Sequence, residues 1–165
     1  MPTPRPFLDE IDVAILNVLQ EDSSIANADL AGRVGLSASA CLSRTKRLRE
    51  NGVIRHYVAV VDEERVGLGV TAFAFVALAQ HDRAAADSFL RWVLDTPQVM
   101  ECWHITGQAD YLLKIVAPDI ASYRDFLMDT LVQTPDVRHI ETLIVLKAEK
   151  RSFRLPIGGG AGRGE

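Results

Sequence analysis

Apolar residues recur at helical spacing through the first fifty positions. Ile11, Ile15, Val18 and Leu19 follow Asp9, a good N-cap, and predict a helix to about Glu21. Leu8 and Val13 sit where a hydrophobic staple would place them. Asp22-Ser23-Ser24 ends that helix. Asn27 is the expected cap of a second, with Leu30, Ala31 and Val34 facing inward. Gly35 stops it by supplying a positive φ, and Leu36 plugs the turn. Ser37 caps a third helix, in which Cys41, Thr45 and Leu48 face inward at i, i+4 and i+7. Ser39, Ala40, Ser43, Arg44, Lys46 and Arg47 are left outside. Asn51-Gly52 closes the helix, and Val53 to Val61 reads as a strand, a short wing or a hinge.

The pattern then changes period. Asp62 to Gly69 is a polar connection with two glycines. Val70 to Gln80 alternates, with Phe73, Phe75 and Ala77 on one side and Ala72, Ala74, Val76 and Leu78 on the other. A helix is predicted from Arg83 to Asp95, a strand from Val99 to Thr106, and a turn over Gly107 to Asp110. Strand Tyr111 to Ala117, a helix from Asp119 to about Val132 and strand Val137 to Lys147 complete the series. The order β-α-β-β-α-β is ferredoxin-like. The predicted fold class is therefore α+β: a helix-turn-helix, winged-helix-like domain joined to a ferredoxin-like domain. Both faces of the first strand are apolar. The helices cover one, so a second copy of the chain is expected on the other, giving a homodimer.

The expected boundaries are a loose N-terminus at 1–7, a helix-turn-helix domain with its hinge strand at 8–61, and a linker at 62–69. The ferredoxin-like, oligomerising domain follows at 70–153, then a flexible glycine-rich tail at 154–165.

Net charge is −4, which on its own argues against nucleic acid. Its distribution reverses that reading. Arg44, Lys46, Arg47, Arg49 and Arg55 face one acid, Glu50, over twelve positions, and phosphate affinity follows local charge. Basic residues on the outer side of the second helix of a helix-turn-helix point to double-stranded DNA. Ser37, Ser39, Ala40 and Ser43 lie near base edges in this reading. Arg44, Lys46, Arg47 and Arg49 lie nearer phosphates. Side chains this short predict modest sequence specificity.

No run is long enough to span a membrane, and MPTPRPFLDE has no apolar signal region. The expected location is the cytoplasm, in association with the nucleoid. Cys41 and Cys102 form neither a disulfide framework nor a zinc pattern. Cys102 and His104 share a strand side but have no third ligand, so no metal or cofactor is expected. No nucleophile or paired carboxylate suggests an enzyme.

Several separated motifs, in order, resemble the Lrp/AsnC family of bacterial and archaeal transcription regulators. They are LDEIDVAILNVLQED, VGLSASACLSRTKRLRENGVI, ECWHITGQADYLLKI and TLIVLK, spanning Leu8 to Leu155. The leucine-responsive branch is especially similar. The resemblance implies dimers that assemble further, often to octamers. It also implies a small effector, often an amino acid, bound between dimers near the loop joining the second and third strands. Here that loop is Thr106, Gly107, Gln108, Ala109 and Asp110, in which Gly107 and Asp110 fit the family's G-x-x-D pattern. A glycine admits backbone N–H groups to a carboxylate, and an aspartate accepts from an ammonium. Gln108 and Ala109 depart from the acidic and aromatic residues that relatives often carry, so effector identity does not transfer. Both residues of the pattern also suit a simple hairpin. An effector-independent regulator of the same fold is the alternative. Sirohaem decarboxylases resemble the fold too, but have no need of a basic recognition helix.

Overall fold

The computed structural model describes residues 8–80, 82–134 and 136–158; the expected loose N-terminus at 1–7 lies outside them. The chain divides into two compact units. One runs to Ala59 and resumes at Lys150; the other spans Val60–Glu149.

In the first unit, α1 (Glu10–Glu21), α2 (Asn27–Arg33) and α3 (Ala38–Glu50) enclose a core of Ile15, Leu16, Leu30, Ala31, Cys41 and Leu48. Asp9 caps α1 and forms a reciprocal capping box with Asp12. Ala26, not Asn27, is the N-cap of α2. Asn27 instead donates its side-chain amide to the Ala38 carbonyl (2.8 Å), which fastens the start of α2 to the start of α3. Gly35 takes φ +69°, as the turn requires. Ser37 caps α3 through the Ala40 N–H.

Two expectations are corrected here. Residues 55–62 form no strand: Tyr57, Val58, Val60 and Val61 are exposed, and their backbone joins no sheet within this chain. Apolar β-branched residues give a strand its propensity but not its partner. The tail, expected to be flexible from Arg154, packs on α1 as far as Gly158. Gln20 exchanges two hydrogen bonds with the Leu155 backbone, Arg154 pairs with Glu21, and Ile157 joins the core. One ion pair, one apolar contact and two hydrogen bonds offset the flexibility that glycine composition suggested. The rest of that expectation, 159–165, lies outside the described residues.

The second unit is a four-stranded antiparallel sheet in the order β2-β3-β1-β4, from β1 (Val70–Leu78), β2 (Val99–His104), β3 (Tyr111–Ala117) and β4 (Val137–Ile144). This is the ferredoxin-like order that the pattern predicted. Ala72, Ala74, Val76 and Leu78 turn to the helices α4 (Arg83–Asp95) and α5 (Ile120–Phe126). Small alanines on β1 let Phe89, Val93, Tyr123 and Phe126 approach the sheet. The Phe89 and Tyr111 rings meet tilted at 39°, centroids 4.8 Å apart, and α5 ends in a π turn over Leu127–Leu131. Phe73, Phe75, Leu112 and Leu143 lie on the opposite face, away from α4 and α5.

Candidate DNA-reading helix and effector cleft

The outer side of α3 carries Ser39, Ser43, Lys46 and Arg49, all exposed, with Leu42 beside them. Cys41 and Leu48 turn inward and set this orientation. Ser37 is exposed, but its hydroxyl is engaged as a cap; Ala40 is half-buried at the first turn. Lys46, 73% exposed at its side chain, has Glu50 at 3.7 Å, and the Arg49 guanidinium lies over the Tyr57 ring at 5.9 Å.

Arg44 and Arg47, which the spacing places outside near phosphates, have partners that the spacing does not reveal: Arg47 is exposed and Arg44 half-buried, and both reach the carboxylate of Asp12, which is 1% exposed. Arg44 Nη1 donates to Asp12 Oδ1 at 3.0 Å and also to Asp9; its side chain is 27% exposed. Arg47 Nη2 donates to both Asp12 oxygens at 2.9 and 2.7 Å, and is 52% exposed. A buried carboxylate on α1 needs counter-charges, and the flank of α3 supplies them. The signal was present as Asp9 and Asp12 at i, i+3 on the apolar side of α1. Arg44 holds the Asp9 carboxyl below its usual range, chiefly by its hydrogen bond and then with the Asp12 N–H. A depressed folded pKa makes this contribution present above the unfolded value, about 4, and lost as pH falls through the folded one.

A groove of about 530 Å³ runs along the other flank of α3, between Leu42, Thr45, Lys46 and Arg49 on one side and Ile54 and Arg55 on the other. The Thr45 hydroxyl is buried with no hydrogen-bond partner in it. Leu42 and Arg55 were missed as candidate contacts. Leu42 breaks the inward stripe of α3, and Arg55 counted only toward the local positive charge.

In the second unit a cleft of about 720 Å³ opens on the bare sheet face. Thr106, Gln108 and Ala109 form its rim, with Ile105; Phe75, Ala77 and Leu143 form an apolar floor. Arg138, His139 and Glu141 of β4 bring charge to it, placed there by the pairing of Ala77 with His139 and Phe75 with Glu141. His139 and Glu141 alternate toward the bare face, and Arg138 sits at the register shift between Ala77 and Leu78, but nothing in sequence distance links them to the 106–110 loop.

Gly107 and Asp110 do not line the cleft. Gly107 takes φ +126°, a backbone state that favours glycine. Asp110 Oδ2 accepts the Leu78 N–H at 2.8 Å, and its own N–H donates to the Val76 carbonyl. The carboxylate that the pattern offered to an ammonium closes the end of β1. Asp110→Ala is therefore expected to cost about 1–2 kcal/mol of stability, by leaving the Leu78 donor unpaired. Thermal melting followed at the sheet unit checks this; an unchanged melting temperature counts against it.

Among the described residues no group of three metal-ligand side chains is gathered, and no helix is long and apolar enough to cross a membrane. Burial pushes the Cys102 thiol up from its ordinary value.

The first unit matches the winged helix-turn-helix DNA-binding model over residues 8–55. A helix-turn-helix and a ligand-binding sheet domain in one chain define a DNA-binding transcriptional regulator. Residues 71–155 match the Lrp/AsnC ligand binding domain, and the chain belongs to the Lrp/AsnC family. It is similar to the transcriptional regulator AzlB of Bacillus subtilis, 49% identical over 92% of this chain and 96% of that one. It is similar also to the leucine-responsive regulatory protein of Escherichia coli, 38% identical over 93% and 94% of the two chains. A crystal structure of the transcriptional regulator NMB0573 from Neisseria meningitidis, in complex with L-Met, superposes with TM-score 0.88. It is 37% identical, covering 92% of this chain and 98% of that one.

Proposed function

We propose that this regulator reads double-stranded DNA as a homodimer and senses an amino acid in the cleft on its sheet. Ser39, Ser43, Lys46 and Arg49 are the DNA-facing residues, with Leu42 and Arg55 at the flank. The observation that carries the effector reading is the cleft, where Arg138 and Glu141 stand over an apolar floor of Phe75, Ala77 and Leu143. Arg138 suits an α-carboxylate, Glu141 an α-ammonium, and the floor an apolar side chain. The L-Met complex of the Neisseria regulator supports an amino acid as the class.

A second copy covering Phe73, Phe75, Leu112 and Leu143 makes the dimer, and higher assembly to an octamer follows the family resemblance. The relatives are named as regulators, and we read no enzymatic activity in this chain.

Calorimetry with a panel of L-amino acids tests the effector reading. Arg138→Ala is expected to cost about 2 kcal/mol of binding, roughly thirtyfold in Kd. Heat that is undiminished in Arg138→Ala moves the ligand elsewhere. Silence across the panel favours the effector-independent regulator.

A further inference from the structure

The outer stripe of α3 holds one side chain that phosphate binding does not use. Ser39, Leu42, Ser43 and Lys46 follow at i, i+3, i+4 and i+7, so they share one side of the helix. Leu42 is 59% exposed there. Leu30 and Leu48 lie in the three-helix core, and Val34 and Leu36 pack against it; Leu42 does neither. Single exposed leucines are ordinary on a protein surface. This one stands among two serines and two cations, on the side that the DNA reading turns to the duplex.

Its neighbours leave little else to tell bases apart. The Ser37 and Ser39 hydroxyls share a hydrogen bond at 3.3 Å, and that of Ser37 also caps α3. Ser43 reaches one atom past its Cβ. Lys46 and Arg49 carry charge, and Arg55 adds a third cation across the groove that Leu42 helps to line. Cations around an apolar tip fit a polyanion that presents apolar groups. In the major groove the apolar base-edge group is the 5-methyl of thymine. It stands at the margin of the groove, beside its own strand's backbone, within the reach of a residue on the flank of α3.

We propose that Leu42 is a specificity-determining residue that recognises thymine through its 5-methyl group. Lys46 and Arg49 hold the backbone, while the Leu42 methyls close on the thymine methyl and expel the water between them. The contact selects against cytosine, which has no methyl at that position and turns an amino donor to the groove. An apolar side chain cannot satisfy that donor, so the wrong base loses a contact and gains an unpaired polar group. This role deepens the DNA reading above and rests on it.

Deoxyuridine isolates the methyl, since it keeps every hydrogen-bonding edge of thymine and lacks that group alone. Duplexes selected by the full-length protein from a random pool supply the site, and each thymine is replaced in turn by deoxyuridine. In the unaltered chain at least one replacement should weaken binding about fourfold, the worth of one buried methyl. Leu42→Ala should bring that ratio to about one. Leu42→Met, apolar and of similar reach, should keep it; Leu42→Gln, which ends in an amide, should lose it. The ratio is taken within each variant, so a general loss of folding or affinity cancels. A ratio near one at every thymine in the unaltered chain, or an unchanged ratio in Leu42→Ala, overturns the role. If the pool yields no bound duplex, the DNA reading itself falls and Leu42 with it. Binding that ignores deoxyuridine overturns Leu42 alone.

Discussion

Asp12→Ala is expected to destabilise the three-helix unit by about 3 kcal/mol, the largest single loss from any polar residue in it. The carboxylate is 1% exposed and takes two donors from Arg47 and one from Arg44. It also closes the capping box with the Asp9 N–H. Removing it leaves two guanidinium groups facing a vacated buried site. Breaking a buried pair from one side costs more than the pair contributes, because the remaining charge has lost its solvent and its partner. Arg47 is half-exposed and can turn to water, and Arg44 keeps Asp9, so the loss belongs at the low end for buried pairs. Asp12→Asn should fall between, since the amide keeps an acceptor but not the charge. The two units need not unfold together, so a local probe is required. Amide hydrogen exchange of α3 in the full chain supplies it. A loss under about 1 kcal/mol, the worth of a surface pair, would show that the arginines are anchored elsewhere.

That ion cluster marks where the sequence stopped being legible. Helical period, Gly35 and Ser37 located the helix-turn-helix, because those signals are local to each helix. Alternation in Val70–Leu78 and the order of elements located the sheet and its ferredoxin-like class. The partners of charged side chains are set by tertiary placement. Asp12 lies more than thirty positions from Arg44 and Arg47, and a basic residue on a helix flank looks the same whether it faces phosphate or a buried carboxylate. The partner of Asp110 was hidden for a related reason. A turn aspartate was visible, but the Leu78 N–H it accepts comes from a strand 32 positions earlier. The cleft's charges on β4 were hidden in the same way, since only the pairing of β1 with β4 brings Glu141 beside Phe75. The tail misled through composition. Its glycines dominate the end of the chain, whereas Arg154, Leu155 and Ile157 before them make the contacts.

The same division of arginines predicts how salt should act on DNA binding. Lys46→Ala and Arg49→Ala are each expected to lower the slope of log K against log salt by about 0.9 per chain, and the double variant by about 1.8. Each side chain is exposed on the outer half of α3, so each can displace a condensed counterion from the duplex. The loss should be nearly uniform across sequences, because phosphate contacts carry no base information. Arg44→Ala should leave the slope nearly unchanged. Its guanidinium already neutralises Asp9 and Asp12, and moving it to a phosphate would uncover a buried carboxylate. Arg47 belongs between these limits: Nη2 is committed to Asp12, but the side chain is half-exposed. A salt titration on one DNA site, run only on variants that retain helix content, separates the two groups. Equal slope changes for Arg44→Ala and Lys46→Ala would mean that DNA competes successfully for the Asp12 cluster. Recognition would then require α1 and α3 to part, and binding would draw on the stability of the unit itself.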